Sequence, residues 1–145
     1  MKRELLIINS KCDNLPLSVA VFEPEGEVKG IVQFAHGMAE HKERYFGFMD
    51  YLAEAGYASI INDHRGHGGS VLSNDDLGYF YDETTTYITK DVHQLTEYVK
   101  ERIPNVPVYL FGHSMGSIVA REYLKHYDKD VDKVVLCGAP GSNPV

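Results

Sequence analysis

Apolar and polar positions follow two regimes along this chain. In the first, Arg3 to Ile8 and Leu17 to Phe22 are apolar or alternating runs joined by the polar segment Ser10-Lys11-Cys12-Asp13-Asn14, which predicts an antiparallel hairpin. In the second, Ile31-Val32-Gln33-Phe34-Ala35, Tyr57-Ala58-Ser59-Ile60-Ile61, Val108-Tyr109-Leu110-Phe111 and Val134-Val135-Leu136-Cys137 are short and nearly continuous apolar runs, the pattern of strands buried on both faces. Helical stripes separate them. Tyr45, Phe48, Met49, Leu52 and Ala55 recur at three-to-four spacing and stop at Gly56. Ile88, Val92, Leu95 and Val99 do the same until Pro104, and Ala120, Tyr123, Leu124 and Tyr127 form a third stripe. Strand and helix in alternation predict an α/β fold: an N-terminal hairpin, then a mostly parallel sheet with helices on both faces. None of the stripes carries the strongly basic polar face of a lipid-binding amphipathic helix. No repeat, low-complexity tract or internal linker interrupts the pattern.

Composition narrows the function classes. With 145 residues, 43% hydrophobic and 24% charged, the chain can bury one modest core. A formal charge of −7 without a cluster of Lys and Arg argues against a nucleic-acid partner. Lys2 and Arg3 precede only Leu5-Leu6-Ile7-Ile8, too short for a signal peptide or a transmembrane segment, so a cytoplasmic location is expected. Cys12 and Cys137 have no metal-ligand neighbours at useful spacing and are expected to be free thiols.

The chemistry concentrates where strands end. Gly112-His113-Ser114-Met115-Gly116 sits between the Val108 strand and the third helical stripe, and Gly-x-Ser-x-Gly at a strand-to-helix turn is a nucleophile elbow. The turn is so sharp that side chains flanking the serine would collide, which explains Gly112 and Gly116. Ser114 is the predicted nucleophile, set at a helix N-terminus where the dipole and the Met115 N–H favour a developing oxyanion.

Two more loops leave the same sheet edge. His36-Gly37-Met38-Ala39-Glu40-His41 follows the Ile31 strand. Gly37 would let backbone approach a substrate, and the Met38 N–H would be the second oxyanion donor. His36 and His41 are not at the one-face helical spacing of zinc enzymes and have no evident third ligand, so no metal is assigned. His36 reads better as a structural hydrogen-bonding group than as an acid–base catalyst. Asn62-Asp63-His64-Arg65-Gly66-His67-Gly68-Gly69-Ser70 follows the Tyr57 strand as a tight loop whose polar groups would knit the sheet edge. It lacks the Gly-x-Gly-x-x-Gly and Gly-Lys-Ser/Thr patterns of nucleotide sites, and His64 and His67, on a different strand from Ser114, read as structural. No cofactor is called for.

Taken together, His36 to His41 with Arg44-Tyr45, Asp63-His64-Arg65-Gly66-His67-Gly68-x-Ser70, and Gly112 to Gly116 resemble the monoacylglycerol lipase/lysophospholipase group of the α/β-hydrolase superfamily, which includes serine aminopeptidase-like members. The similarity runs from the hairpin to Cys137-Gly138-Ala139-Pro140. It implies an α/β-hydrolase fold and a serine hydrolase acting on carboxylic esters, lipid-derived monoesters above all, through an acyl-enzyme. Ser114 would be the nucleophile, and Met38 and Met115 the oxyanion donors. Serine at the elbow speaks against dehalogenase relatives.

The family's order of motifs also places a lid, a catalytic Asp and a catalytic His after the strand ending at Cys137. His126 lies about 18 Å along the helix that starts at Ser114, and Asp128, Asp130 and Asp132 lie beyond its far end. Residues 1–145 are therefore expected to be the N-terminal portion of a single α/β-hydrolase domain, truncated before the lid and the last strands. Alone they are expected to be inactive and prone to association, and open to complementation by a C-terminal half. Two alternatives stand beside the esterase: a non-catalytic remnant or interaction module, and a peptidase on the same scaffold.

Overall fold

A computed structural model describes residues 1–84 and 86–139. Pro140, the last residue of the resemblance, lies outside the described residues, as do residues 141–145 of the expected domain.

Strands β1 (Lys2–Asn9) and β2 (Pro16–Glu23) form the expected hairpin, paired antiparallel from Lys2 opposite Glu23 to Asn9 opposite Pro16. Next come β3 (Gly30–Ala35), helix α1 (Phe46–Glu54), β4 (Tyr57–Asn62), helix α2 (Tyr87–Arg102), β5 (Val108–His113), helix α3 (Met115–Tyr127) and β6 (Lys133–Cys137). The described strands form one sheet in the order β1-β2-β4-β3-β5-β6. β4, β3, β5 and β6 run parallel, with Phe34 beside both Ile61 and Phe111. The chain therefore leaves β3, β4 and β5 at one common edge, through Ala35, Asn62 and His113. This is the α/β-hydrolase fold.

Alternation along the strands sorts the core into two layers. Ala20, Phe22, Phe34 and Ile61 face α1, where Met49 packs on them. Val19, Val21, Ile31, Ile60 and Val108 face Leu95 and Val99 of α2, and Leu110 faces Val92 of α2 with Val119, Ala120 and Tyr123 of α3. Val92, Leu95 and Val99 are fully buried, which stabilises α2 by roughly 1.5–3 kcal/mol per side chain as an upper estimate. A buried polar chain runs through this layer. The Gln33 amide donates to the Val92 carbonyl at 2.8 Å, Thr96 Oγ1 donates to Gln33 Oε1 at 2.5 Å, and Tyr123 OH donates to Thr96 Oγ1 at 3.0 Å. One strand and two helices are thus held in a single register, which an apolar reading of the Ile31 run does not anticipate.

One expectation is corrected. Val134 to Cys137 is a strand, but it is not buried on both faces: Val135 is 49% exposed and Leu136 40%. β6 is the last strand of the described sheet, so no further described strand stands beside it to shield Val135 on one face or Leu136 on the other. Tyr109, Phe111 and His113 of β5 are half-buried, alternating with the buried Val108, Leu110 and Gly112. Among the described residues no helix is long and apolar enough to cross a membrane.

Candidate active site

The elbow is built by sterics. Ser114 has φ 54° and ψ −118°, a left-handed backbone that costs a non-glycine residue on the order of 1–3 kcal/mol and persists only where its surroundings impose it. A Cβ on Gly112 would lie 2.5 Å from the Gly116 oxygen and 2.9 Å from Ser117 Cα. One on Gly116 would lie 2.5 Å from the Ala35 carbonyl carbon and 2.7 Å from the His36 oxygen. Only glycines let α3 begin directly above β5 and against the end of β3. Three hydrogen bonds hold the turn: Ser114 N–H donates to the Cys137 carbonyl at 2.9 Å, and Ser117 donates to the Ser114 carbonyl from N–H at 2.9 Å and from Oγ at 2.5 Å. Ser114 is the N-cap of α3, and Met115 is its first residue, so the Met115 N–H has no acceptor within the helix.

The loop after β3 lies against this turn. A Cβ on Gly37 would come within 3.3 Å of both the His113 carbonyl oxygen and Ser114 Cβ, and within 2.6 Å of Glu40 Oε1. Gly37 is thus required by the packing of the loop on the elbow and on Glu40, beyond the access to substrate that its small size suggests. Met38 follows at the surface, 67% exposed, and Ala39 takes φ 59° to turn the chain. His36 is fully buried. Its Nε2 accepts from the His64 N–H at 2.9 Å, so the ring proton sits on Nδ1 and is donated to the Gly37 carbonyl at 2.7 Å. His64 Nε2 donates in turn to the His36 carbonyl at 3.1 Å. Burial pushes both imidazoles below the ordinary histidine range, and the neighbouring histidines push the same way. His36 and His64 are neutral clamps on the loop. Neither nitrogen of His36 is available to a metal, and His41 stands apart at the surface beside Glu43. Among the described residues no three His, Cys, Asp or Glu side chains converge as a metal site, and the thiols of Cys12 and Cys137 are free.

The loop after β4 knits the edge through long-range charge pairs. Arg65 is fully buried and donates to Asp91 of α2 at 2.8 Å, to Asp13 of the hairpin turn at 2.9 and 3.0 Å, and to the Phe80 carbonyl. Burial pushes the Asp91 carboxyl above its ordinary value against the pull of Arg65 and Ser10. Asp63 accepts from the Lys42 backbone at 2.6 Å, Lys42 Nζ at 3.1 Å and the Gly69 N–H at 2.9 Å, tying this loop to the residues after the first one. Asp91 is a residue that sequence reasoning missed. The signal was there: it is an acid three residues after Ile88, on the buried stripe of α2.

Glu40 is the second omission. The same Oε1 accepts from the Gly37 N–H at 2.6 Å, Tyr45 OH at 3.0 Å and His113 Nδ1 at 3.1 Å, and Oε2 forms a 2.8 Å ion pair with Arg44, too poorly aligned to count as a hydrogen bond. Burial pushes this carboxyl up, but the donors from His113, Gly37 and Tyr45 and the Arg44 charge outweigh it and hold it below the usual carboxylate range.

Histidines and acids later in the chain are not brought to Ser114. His126 is on the last turn of α3, 61% exposed and paired with Glu122. Asp130 bonds His93 at 2.7 Å, and Asp132 accepts from the Val108 N–H at the opposite end of β5 from Ser114. Among the described residues Ser114 Oγ has no hydrogen-bond partner. A groove of about 510 Å³ runs along α3 from Met115 to Tyr127, lined by the apolar Phe80, Ile88, Met115, Ile118, Val119 and Tyr127 and also by polar and charged residues that include Thr89, Lys90, Glu122 and His126.

Comparison with known proteins gives consistent matches. The profile of the family described as "Serine aminopeptidase, S33" matches residues 26–143. The chain is 32% identical to a monoglyceride lipase homolog of Monkeypox virus, over 74% of this chain and 37% of the relative. It is 31% identical to a monoacylglycerol lipase of Mycolicibacterium smegmatis, over 81% of this chain and 40% of the relative. A thermostable carboxyl esterase from Bacillus coagulans, solved in complex with glycerol, superimposes with a TM-score of 0.91 at 32% identity, over 99% of this chain and 46% of that one. The chain thus spans less than half the length of these relatives.

Proposed function

We propose that this chain, which belongs to the serine aminopeptidase, S33, family of α/β-hydrolases, is the nucleophile-bearing portion of a serine hydrolase that cleaves carboxylic esters of lipid origin. The observation that carries the reading is Ser114 itself. It is a non-glycine residue held at φ 54° between β5 and α3, at a helix N-terminus, with a second loop packed on its Cβ side. In the proposed reaction Ser114 Oγ attacks the ester carbonyl while a histidine takes the hydroxyl proton. The N–H groups of Met38 and Met115 stabilise the oxyanion. Collapse of the tetrahedral intermediate expels the alcohol, which receives the proton from the histidine and leaves the acyl group on Oγ. Water, deprotonated by the same histidine, then releases the acid. The histidine and its orienting aspartate are assigned to sequence beyond residues 1–145, in keeping with the 37–40% of the lipase relatives that this chain spans. Residues 1–145 are accordingly the N-terminal portion of one domain, inactive by themselves.

An ester substrate is favoured over an aminoacyl amide because the relatives at 31–32% identity bear lipase and esterase names. The groove lined by Met115, Ile118 and Val119 supports an acyl chain, since Met115 also carries an oxyanion donor. The reading keeps the enzyme in the cytoplasm, where the thiols of Cys12 and Cys137 stay reduced.

The test is labelling of the full-length polypeptide with a fluorophosphonate, followed by turnover on monoacylglycerols and on aminoacyl amides. Label is expected on Ser114, ester turnover is expected to exceed amide turnover, and Ser114→Ala is expected to lower kcat by about 10⁶ without unfolding the protein. Retention of more than a few per cent of activity by Ser114→Ala would remove Ser114 from the mechanism. Preference for the amides would make the protein a peptidase.

A further inference from the structure

We propose that Glu40 is a positioning residue that sets the oxyanion loop and the nucleophile elbow in register with each other. The proposal rests on the reading of Ser114 as the nucleophile. A single carboxylate oxygen, Oε1, accepts from Gly37 N–H at 2.6 Å, from His113 Nδ1 at 3.1 Å and from Tyr45 OH at 3.0 Å. Gly37 immediately precedes Met38, and His113 immediately precedes Ser114. One atom is therefore bonded to the residue before each proposed reactive group, and the Glu40 side chain is only 8% exposed. Tyr45, at the start of α1, anchors that atom to the core through its ring contact with Phe34, 5.4 Å between centroids.

Glu40 also acts through its backbone. Its N–H donates to the Gly37 carbonyl at 3.3 Å, the same oxygen that takes the His36 Nδ1 proton at 2.7 Å. That carbonyl shares a planar peptide with the Met38 N–H, and in a trans peptide the two point in opposite directions. Pinning the oxygen on the Glu40 and His36 side thus turns the Met38 N–H outward from the loop. The carboxylate does the same for the preceding peptide by holding the Gly37 N–H. Without it, a buried N–H loses its acceptor, and a glycine with no Cβ offers little resistance to a peptide flip. His113 would lose its only described side-chain partner at the same time.

Positioning and mere support of the fold differ in what they move. An oxyanion donor acts more strongly in the transition state than on bound substrate, so its misplacement lowers kcat and leaves KM nearly unchanged. In the full-length protein, Glu40→Ala is expected to lower kcat about 10²-fold, the scale of one lost oxyanion donor, with KM within about threefold. Glu40→Gln keeps a neutral acceptor oxygen at the same reach and is expected to recover kcat to within about tenfold of wild type. Glu40→Asp, one methylene shorter, is expected to recover little. Circular dichroism establishes which variants are folded at the assay temperature. A second readout needs no turnover: the Gly37 amide proton, in a short bond to a carboxylate, is expected far downfield in wild type and shifted upfield in Glu40→Gln. A folded Glu40→Ala with kcat within threefold of wild type overturns the proposal, as does a loss confined to KM or an unmoved Gly37 resonance. Absence of Ser114-dependent turnover in wild type would instead refute the hydrolase reading, and the Gly37 resonance would still decide whether Glu40 holds the loop.

Discussion

Gly116→Ala tests whether the elbow is dictated by backbone packing. The added Cβ would sit 2.5 Å from the Ala35 carbonyl carbon and 2.7 Å from the His36 oxygen, and closer still to the Ala35 oxygen. Carbon needs about 3.5 Å, so the start of α3 must move roughly 1 Å off the end of β3. Both partners are backbone, with no side chain that could rotate away, which puts the cost at the upper end of the overpacking range, about 3 kcal/mol. For a domain of this size that is about 10 °C in Tm. Gly47→Ala is the internal control. Gly47 lies in α1 with nothing within 4 Å of its would-be Cβ, and alanine there is expected to raise stability by about 0.5–1 kcal/mol. Thermal melts followed by circular dichroism on both variants, with fluorophosphonate labelling below Tm, measure the two effects. A displacement of about 1 Å at the nucleophile is expected to slow labelling about 10²-fold in Gly116→Ala and not at all in Gly47→Ala. A Gly116→Ala protein that melts within about 2 °C of wild type and labels at the wild-type rate would refute the steric account of the elbow.

Two further outcomes follow from the loops. Met38→Ala retains the backbone donor and is expected to be mild, whereas Met38→Pro removes the N–H and is expected to lower kcat by about 10²–10³; normal turnover by the proline variant would take this loop out of the oxyanion hole. Stability is expected to fall as pH drops below about 6.5. Burial holds His36 and His64 below the ordinary range in the folded state, so from about 6.5 downward the unfolded chain binds protons that the folded one does not, with a slope of up to about 1.4 kcal/mol per pH unit for each. Urea midpoints at pH 7.5, 6.5 and 5.5 measure it, and a flat or rising trend would contradict the assignment of these rings as neutral.

Periodicity alone carried the architecture. The hairpin, the parallel strands and the three helical stripes are local patterns of apolar spacing, and each became an element at nearly the residues the pattern marks. The elbow was legible for a related reason: two glycines around a serine state a steric requirement that the structure meets with would-be contacts of 2.9 Å and shorter. Burial of the strands was not legible to the same degree. An apolar run says that a strand can be covered, whereas what lies over it is a matter of neighbours, and Val135 and Leu136 on β6 remain exposed.

The polar wiring was decided by tertiary structure. Arg65 reads as part of a glycine-rich loop, yet its partners Asp13 and Asp91 are 52 and 26 residues away. They meet only because the hairpin turn and α2 converge beneath that loop. Gln33, inside an apolar strand, is accommodated by a carbonyl of α2 and by Thr96. Glu40 reads as one charge between two histidines in a surface loop. Its three-way bond to Gly37, Tyr45 and His113 exists because β3 and β5 are adjacent and parallel, so the loops leaving them meet at one edge. Hydrophobic spacing repeats within a single element, so a linear sequence displays it. A hydrogen bond between two elements depends on which strands the sheet makes neighbours, and that order is set by the folded chain as a whole.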